Sequence, residues 1–365
     1  MSIPPSDERA KGVVSTTPGA SEQAPSSARE TPPIDVCIVT FDSAGDLPGC
    51  LASIEALTHR PLAVQIVDCA SRDTSIEIAR RFAAATSLPT TVVPLERNLG
   101  FAGGMNEALA RGTAPWVLLL NPDARPAPDY LDRLLDASAA SANGSRGVGA
   151  ATGRLLRLAA DGERQLLDAC GMRLTLTWRH LDRGSGRADR GQHGARVRVF
   201  GATGAASLFR REALEDVAID GRIFDDWFHS FREDAELCFR LQERGWDVIY
   251  EPLASAAHRR QVAPGRRREL APEINFHSLK NRYLLRVYHQ TPANLVATLP
   301  FTLFRDLIAL CYVLLRERRS LAAYGWLWSH RRALYQRRRR IQERKTRSVE
   351  PWFLREALDV ERRSA

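Results

Sequence analysis

The sequence predicts an α/β protein with a mostly parallel central sheet, followed by C-terminal amphipathic helices. Five consecutive apolar residues, Trp116 to Leu120, are typical of a strand buried on both faces of such a sheet. Strands and helices alternate at short spacing over about the first third of the ordered chain, which favours parallel strands joined by right-handed crossovers. Apolar and basic residues mix from Leu295 to Arg347, which indicates helices with a basic, Trp-bearing face.

The elements of the first part follow from hydrophobic periodicity. A buried strand begins at Ile34, an amphipathic helix covers Asp46 to Leu57, and a second strand ends at Asp68. A helix through Phe82 and a strand in TTVVPLE follow, and the Gly-rich turn of RNLGFAGGMNEALARG then leads into another helix. The next strand ends at Pro122, because proline cannot donate a ladder hydrogen bond.

The pattern is weaker in the second part of the chain. The Gly- and Arg-rich stretch 146–194 predicts only short strands near Leu155 and Leu174. VFGATGAASLFRREALEDV predicts a strand that runs into a helix. An aromatic loop and a helix follow over Ile223 to Arg244, and WDVIYEP is a last strand.

The net charge of +9 is concentrated near the C-terminus. Arg316 to Arg347 contains twelve Arg or Lys and two Glu, so the remainder of the chain sums to −1. Residues 1–33 are rich in Ser, Pro, Ala and Glu, which predicts disorder, and they lack the apolar core of a secretory signal. Six scattered cysteines without a C-x-x-C pair argue against a zinc site or a disulfide framework and favour a reducing, cytoplasmic compartment.

The basic tail has two interpretations. A run such as Arg337 to Arg340 is able to follow nucleic-acid phosphates without reading sequence. Trp326 and Trp328 interleave with the charges, which instead favours helices lying on an anionic membrane. Asn294 to Leu315 is apolar, but a proline and two charged residues interrupt it, so no bilayer span is predicted.

Polar residues at or beyond the ends of the predicted strands are able to meet at one edge of the sheet, where open α/β sheets bind ligands. They lie in five stretches: Thr40-Phe41-Asp42, Asp68, Asp123, Glu233-Asp234 and His258. A carboxylate such as Asp123 at the end of a central strand suits a hard cation carrying a diphosphate. Asn-Pro-Asp alone is equally well explained as a turn, so the combination of stretches carries the interpretation.

From Asp35 to His258 the chain resembles inverting family 2 glycosyltransferases of the GT-A fold. It is particularly similar to bacterial rhamnosyltransferase-type members that build cell-surface polysaccharides. The matching stretches are, in order, VCIVTFDS, QIVDCASRDTS, NLGFAGGMN, VLLLNPDARP, GAASLFRREAL, FREDAEL and YEPLASAAH. SLKNRYLLRVYH and the basic C-terminal helices are similar to the same subgroup.

The resemblance implies a nucleotide-sugar donor and a divalent cation, Mg²⁺ or Mn²⁺. Asp123 matches the last Asp of the family's D-x-D motif and would hold the metal with His258. Asp234 matches the catalytic base, with Glu233 beside it. The residues implied in binding the donor nucleotide are Thr40, Phe41, Asp42, Asp68, Asn98, Gly100, Gly104 and Asn121. Three aromatic residues either belong to the core or line the acceptor sugar: Trp227, Phe228 and Phe231.

Four positions depart from the family pattern. Asp42 and Cys69 stand where the family usually has Asn, which leaves the donor base open. Glu236 replaces the second Asp of the EDxDL pattern, and Asn121 replaces the first Asp of D-x-D. A helix cap or a structural turn is the alternative for three implied donor residues: Asp68, Gly100 and Gly104.

The resemblance therefore implies a metal-dependent inverting transferase that moves a sugar, preferably rhamnose from dTDP-rhamnose, onto a lipid-linked or growing cell-surface glycan. A UDP-hexose or galactofuranosyl donor is the alternative within the fold, and a non-catalytic protein with a nucleic-acid-binding tail is the alternative of another class. The implied organisation is a disordered segment 1–33, a GT-A domain 34–290 and a basic helical tail 291–365. The tail would attach the protein peripherally to an anionic surface, the inner face of the bacterial plasma membrane. No nucleic-acid partner is expected, and the oligomeric state is left open.

Overall fold

The computed structural model describes residues 32–140, 146–158, 165–260 and 271–349. These residues belong to one compact unit that begins at Pro32. The expectation of disorder for 1–33 falls almost wholly outside the described residues, as does the last part of the predicted tail. The division at residue 290 stays a prediction.

The first part of the chain folds as the apolar runs predict. Its elements are β1 Ile34–Thr40, α1 Leu47–Glu55, β2 Ala63–Asp68, α2 Ser75–Ala85, β3 Thr90–Pro94, α3 Gly100–Leu109 and β4 Trp116–Leu120. The order β3-β2-β1-β4 is parallel throughout. β1 and β4 are buried along their whole length, because separate apolar clusters cover the two faces of the sheet. The predicted strand ends at Asp68 and before Pro122 are confirmed.

The second part makes the sheet mixed. Its elements are β5 Ala124–Pro126, α4 Tyr130–Ala140, β6 Val148–Arg157, β7 Leu167–Ala169, β8 Met172–Leu174, β9 His180–Asp182, β10 Val197–Arg198, β11 Ala206–Arg210, α5 Arg211–Val217, α6 Glu233–Glu243 and β12 Asp247–His258. β11 runs antiparallel between β4 and β6, and β12 runs parallel to β6. The main order is β10-β12-β6-β11-β4-β1-β2-β3, with β5 paired to β12 and β7 paired to β6, and β8 and β9 form a separate hairpin.

The C-terminal helices pack on this sheet domain. They are α7 Pro272–His289, α8 Pro292–Arg316, α9 Ala322–Ser329 and α10 Arg331–Glu343, with a 3₁₀ turn at Arg318–Leu321. One apolar cluster joins side chains of the sheet domain to these helices: Met172, Phe228, Phe239, Tyr288, Leu334 and Ile341.

α8 differs from the sequence prediction. Pro300 interrupts the apolar run of the sequence, from which no bilayer span is predicted, but the helix is continuous through it. Among the described residues it is the one helix that is long and apolar enough to cross a membrane by length and composition.

Candidate functional site

The carboxyl ends of β1, β2 and β4 border an open cleft of about 480 Å³, a size suited to a small-molecule ligand. Nine of the fifteen predicted site residues line it. They are Phe41, Asn98, Gly100, Asn121, Asp123, Phe231, Glu233, Asp234 and His258. Residues separated by more than 200 positions in the chain therefore share one edge of the sheet.

Asp123 and His258 are brought together by strand pairing. β12 lies antiparallel to β5, which places His258 opposite Ala124 and next to Asp123. The Nε2 atom of His258 lies 3.2 Å from Oδ1 of Asp123, and its Nδ1 lies 2.7 Å from Oδ2 of Asp168. Burial alone would lower the pKa of His258, but the two carboxylates raise it to about 9.

This pair fits a hard divalent cation. An Asp123 carboxylate oxygen and the Nε2 atom of His258 face each other in the cleft, and Asp168 orients the ring through Nδ1. Because the pKa of His258 is raised to about 9, a cation bound between them would displace the proton that the ring carries. Within the described residues no group of three or more His, Cys, Asp or Glu could hold a metal. A cation here would therefore take its remaining ligands from diphosphate oxygens and water.

Glu233 and Asp234 begin α6 as a buried acidic pair. Burial raises the pKa of Asp234 to about 6, Asp182 adds to the increase, and backbone N–H groups of Gly204 and Ala235 oppose it. Those N–H groups donate to Asp234 at 3.1 and 2.7 Å. Burial and the charge of Asp234 raise the pKa of Glu233 well above its usual value. Burial thus favours the neutral form of both carboxyl groups, and the pKa of about 6 leaves Asp234 able to ionise near neutrality.

Several cleft residues were missed by the sequence analysis. Arg260 ion-pairs with Asp168 at 3.2 Å and also with Asp182, and His180 and Arg232 line the same cleft. The only sequence signal for Arg260 was its place two residues after His258. Asp182 and His180 come from β9, in the stretch where periodicity was weak.

Four predicted donor residues do not line the cleft. Thr40 is fully buried in the ladder opposite Asp68. Asp68 accepts hydrogen bonds from the Ser71 N–H at 3.0 Å and the Ser71 hydroxyl at 2.5 Å, as a local cap does. The other two are Asp42, which ion-pairs with Arg72 at 2.5 Å, and Gly104, whose added Cβ would lie 2.7 Å from Val39.

The aromatic residues divide between cleft and core. Phe231 lines the cleft, whereas Trp227 packs edge-on against Trp326 with ring centroids 5.5 Å apart. Phe228 is fully buried beside Tyr288. The core alternative therefore describes Trp227 and Phe228, and of the three residues only Phe231 lines the cleft.

The structure also shows the contacts of Glu236 and Cys69, two of the four positions that depart from the family pattern. Glu236 is fully buried and binds Arg240 at 2.7 Å, so its role is structural. Cys69 lines the cleft, and its thiol packs against the carbonyl oxygen of Gly100 at 3.7 Å.

The class of the protein follows from comparison with known families and structures: it is a glycosyltransferase, and its mixed sheet has the GT-A fold. More particularly, the chain belongs to glycosyl transferase family 2, whose family model matches residues 35–218. That match includes Asp123, while Asp234 and His258 lie beyond it.

Individual proteins resemble the chain to different extents. The N-acetylglucosaminyl-diphospho-decaprenol L-rhamnosyltransferase of Mycobacterium tuberculosis, from strains CDC 1551 and H37Rv, is 30% identical over 255 residues, which cover 64% of this chain and 78% of that protein. The crystal structure of GalNAc-T7 with UDP, GalNAc and Mn²⁺ has a TM-score of 0.54 at 12% identity, over 71% of this chain and 49% of that one, so the chain spans about half of it. The mannosyltransferase PcManGT from Pyrobaculum calidifontis, in complex with GDP-Man and Mn²⁺, has a TM-score of 0.48 at 17% identity, over 82% of this chain and 75% of that one.

Proposed function

We propose that the enzyme transfers a sugar from a nucleotide donor to an acceptor hydroxyl in one displacement that inverts the anomeric carbon. The observation that carries this proposal is the shared cleft, in which Asp123 and His258 lie with Glu233 and Asp234. The first pair offers ligands for a divalent cation, and the second offers a carboxylate with a pKa of about 6.

Each side chain has a defined task in this displacement. Asp123 and His258 would hold Mg²⁺ or Mn²⁺, which when bound supplies the charge neutralisation that a diphosphate leaving group needs. Asp234 takes the proton of the acceptor hydroxyl as its oxygen attacks the anomeric carbon. Glu233, which is protonated beside it, has an Oε2 atom without a hydrogen-bond partner among the described residues and is free to bind a sugar oxygen.

The donor nucleotide would contact the part of the cleft formed by the first strands. Phe41 is exposed there, and the remaining contacts come from Asn98, Gly100 and Asn121. Thr40, Asp42, Asp68 and Gly104 would act indirectly, since their contacts fix the loops that carry those residues.

The preferred donor is dTDP-rhamnose, and the preferred acceptor is a lipid-linked glycan. Support comes from the mycobacterial relative, whose name describes rhamnosyl transfer to N-acetylglucosaminyl-diphospho-decaprenol. UDP-hexose or UDP-galactofuranose is the alternative donor. A thermal-shift panel of nucleotide sugars with Mn²⁺ distinguishes them, because the ligand that binds the folded state raises its melting temperature.

Replacing the base tests the catalytic assignment. Asp234→Asn should lower kcat by about 10²- to 10⁴-fold, because the neutral amide cannot accept the hydroxyl proton. Donor binding measured by calorimetry should stay near the wild-type value. Asp220→Asn, an exposed carboxylate outside the cleft, is the control. A near wild-type rate in Asp234→Asn would show that another group is the base.

The C-terminal helices are proposed to hold the enzyme at an anionic membrane. Among the described residues, eleven of the seventeen exposed large hydrophobic side chains lie on α8: Leu295, Val296, Leu299, Phe301, Leu303, Phe304, Leu307, Ile308, Leu310, Leu314 and Leu315. Its buried residues are mostly polar instead: they are Asn294, Thr298 and Thr302, with Val313 near the end of the helix. In a helix on the surface of a water-soluble protein the polar side faces outward, whereas here the apolar side does. An outward apolar side is able to enter the boundary layer of a bilayer.

The contacts of α8 favour a helix that lies on the membrane over one that crosses it. Asp306 ion-pairs with Arg282 at 2.7 Å and also with Arg286, both on α7. Leaving α7 would break these pairs and expose Asp306 to hydrocarbon. Three exposed arginines at the end of α8 are placed to meet anionic headgroups: Arg316, Arg318 and Arg319.

A further inference from the structure

The loop that leads into the acidic pair, residues 225–232, is named the base loop here. Three of its last four residues have left-handed backbone angles, with φ of 60° at His229, 71° at Phe231 and 73° at Arg232. Such angles are uncommon for residues other than glycine. The base loop therefore needs contacts from outside to keep this path, and Glu233 and Asp234 follow directly from it.

Those contacts come from α7. Asn281 is fully buried, and its Nδ2 lies 2.8 Å from the carbonyl oxygen of Phe228, 2.9 Å from that of Ser230 and 2.7 Å from that of Phe231. Its two N–H hydrogens are shared among three carbonyls, so the side chain acts here as a donor, which neither a carboxylate nor a methyl group could replace. The hydrogen bonds close the loop into a compact turn immediately before the base.

Two further residues of α7 also contact the base loop. The Lys280 ammonium donates to the carbonyl of Trp227 at 2.5 Å, and the His277 ring stacks on His229 with centroids 4.6 Å apart. These contacts hold Trp227 and His229, whereas Asn281 holds Phe228, Ser230 and Phe231.

On its other side the base loop contacts the start of α3. The Ala102 N–H donates to the carbonyl of His229 at 2.9 Å, and an added Cβ on Gly100 would lie 2.4 Å from the same oxygen. The loop is thus held between the donor side of the cleft and α7. A shift of its C-terminal half would move Asp234 relative to a bound donor.

We propose that Asn281 is a positioning residue for the reaction: by holding the carbonyls of Phe228, Ser230 and Phe231 it sets the approach of the Asp234 carboxylate. This inference rests on the proposed role of Asp234 as the base. It also gives α7 a catalytic task that is separate from membrane attachment.

The test compares Asn281→Asp and Asn281→Ala with Asn294→Asp. Asn281→Asp keeps the side-chain shape but replaces the N–H donor with a carboxylate oxygen, which the three carbonyls repel. Asn281→Ala removes the donor without adding this repulsion. Asn294 is the matched control, because its buried amide donates to one carbonyl, that of Val349, far from the base loop. The measurements are kcat per donor-binding site, donor KM and melting temperature.

Both Asn281 variants should lose kcat by about 10- to 100-fold with donor KM within about threefold, because a small misplacement of a reacting group costs this much. Asn294→Asp should keep its kcat even where its melting temperature falls as far. A retained kcat in Asn281→Ala, or an equal loss in Asn294→Asp, would overturn the inference. Failure of the base assignment would appear separately, as activity in Asp234→Asn.

Discussion

Three carboxylates at the ends of strands or at the start of a helix have different roles because their partner atoms differ. Asp68 is satisfied by Ser71, three residues away, whereas Asp123 faces His258 and Asp234 is buried against the Gly204 N–H. The sequence singles out all three residues. The sequence does not show which role each carboxylate has, since the partners of Asp123 and Asp234 are distant in the chain.

The pKa of Asp234 predicts an acidic limb in the activity profile. Burial disfavours the charged form and raises this pKa to about 6, with Asp182 adding to the effect and Arg232 opposing it. Below that pH the base is protonated, so kcat/KM should fall about tenfold per pH unit, and above it the rate should level off. Glu233→Gln is the control, because Glu233 is already neutral and the limb should stay near pH 6. A limb that disappears in that variant would assign the titration to Glu233.

Metal binding should depend on Asp123 directly and on Asp168 through His258. Asp123→Ala removes a ligand and should abolish the gain in donor affinity that Mn²⁺ gives. Asp168→Asn leaves the ring with a weaker acceptor and should reduce Mn²⁺ affinity by roughly 10- to 100-fold. Calorimetry with and without Mn²⁺ measures both, and Asp129→Ala, an exposed carboxylate paired with Arg133, is the control. Unchanged Mn²⁺ affinity in Asp123→Ala would remove the metal assignment.

Among the elements, the parallel half of the sheet could be predicted because its central strands β1 and β4 are mostly apolar and alternate with helices. β6 was underestimated because its first residues, VGAATG, are small and give little hydrophobic signal. Their size is required by packing: an added Cβ on Gly149 would lie 2.8 Å from Trp246, and one on Gly153 would lie 2.3 Å from the carbonyl of Ala254. Periodicity detects large buried side chains and does not detect the small residues that accommodate them.

The short strands β7 and β9 were the harder part of the site. β7 supplies Asp168, whose partner His258 lies 90 residues later in the chain. β9 supplies Asp182, whose partner Arg260 lies 78 residues later. Three-residue strands carry too little pattern for a sequence assignment. One side of the cleft could therefore be predicted from the sequence, whereas the groups that orient His258 and modulate Asp234 could not.

Across the whole molecule, part of the charge of the basic tail is paired with carboxylates of the body on which the tail packs. Arg337 pairs with Asp225 at 2.9 Å, Arg340 with Asp220 at 2.5 Å and Lys345 with Glu243 at 2.9 Å. Side chains engaged in this way are poorly placed to follow phosphates, which argues against the nucleic-acid interpretation. Three arginines that remain exposed, Arg316, Arg318 and Arg319, lie at or just after the end of α8, whose outer face is apolar.

The exposed apolar face of α8 is expected to attach the protein to a membrane. The full chain should co-sediment with anionic vesicles, and Leu303→Glu with Phe304→Glu should weaken binding by about 10- to 100-fold or more, because two apolar side chains no longer enter hydrocarbon. Leu253→Glu, equally exposed at 63% but on β12, is the matched control and should bind as the wild type does. Donor affinity should match that of the wild type in both variants, since neither α8 nor Leu253 lines the cleft. Binding that survives the double change would exclude this face as the anchor. Salt-sensitive DNA binding without vesicle binding would restore the nucleic-acid interpretation.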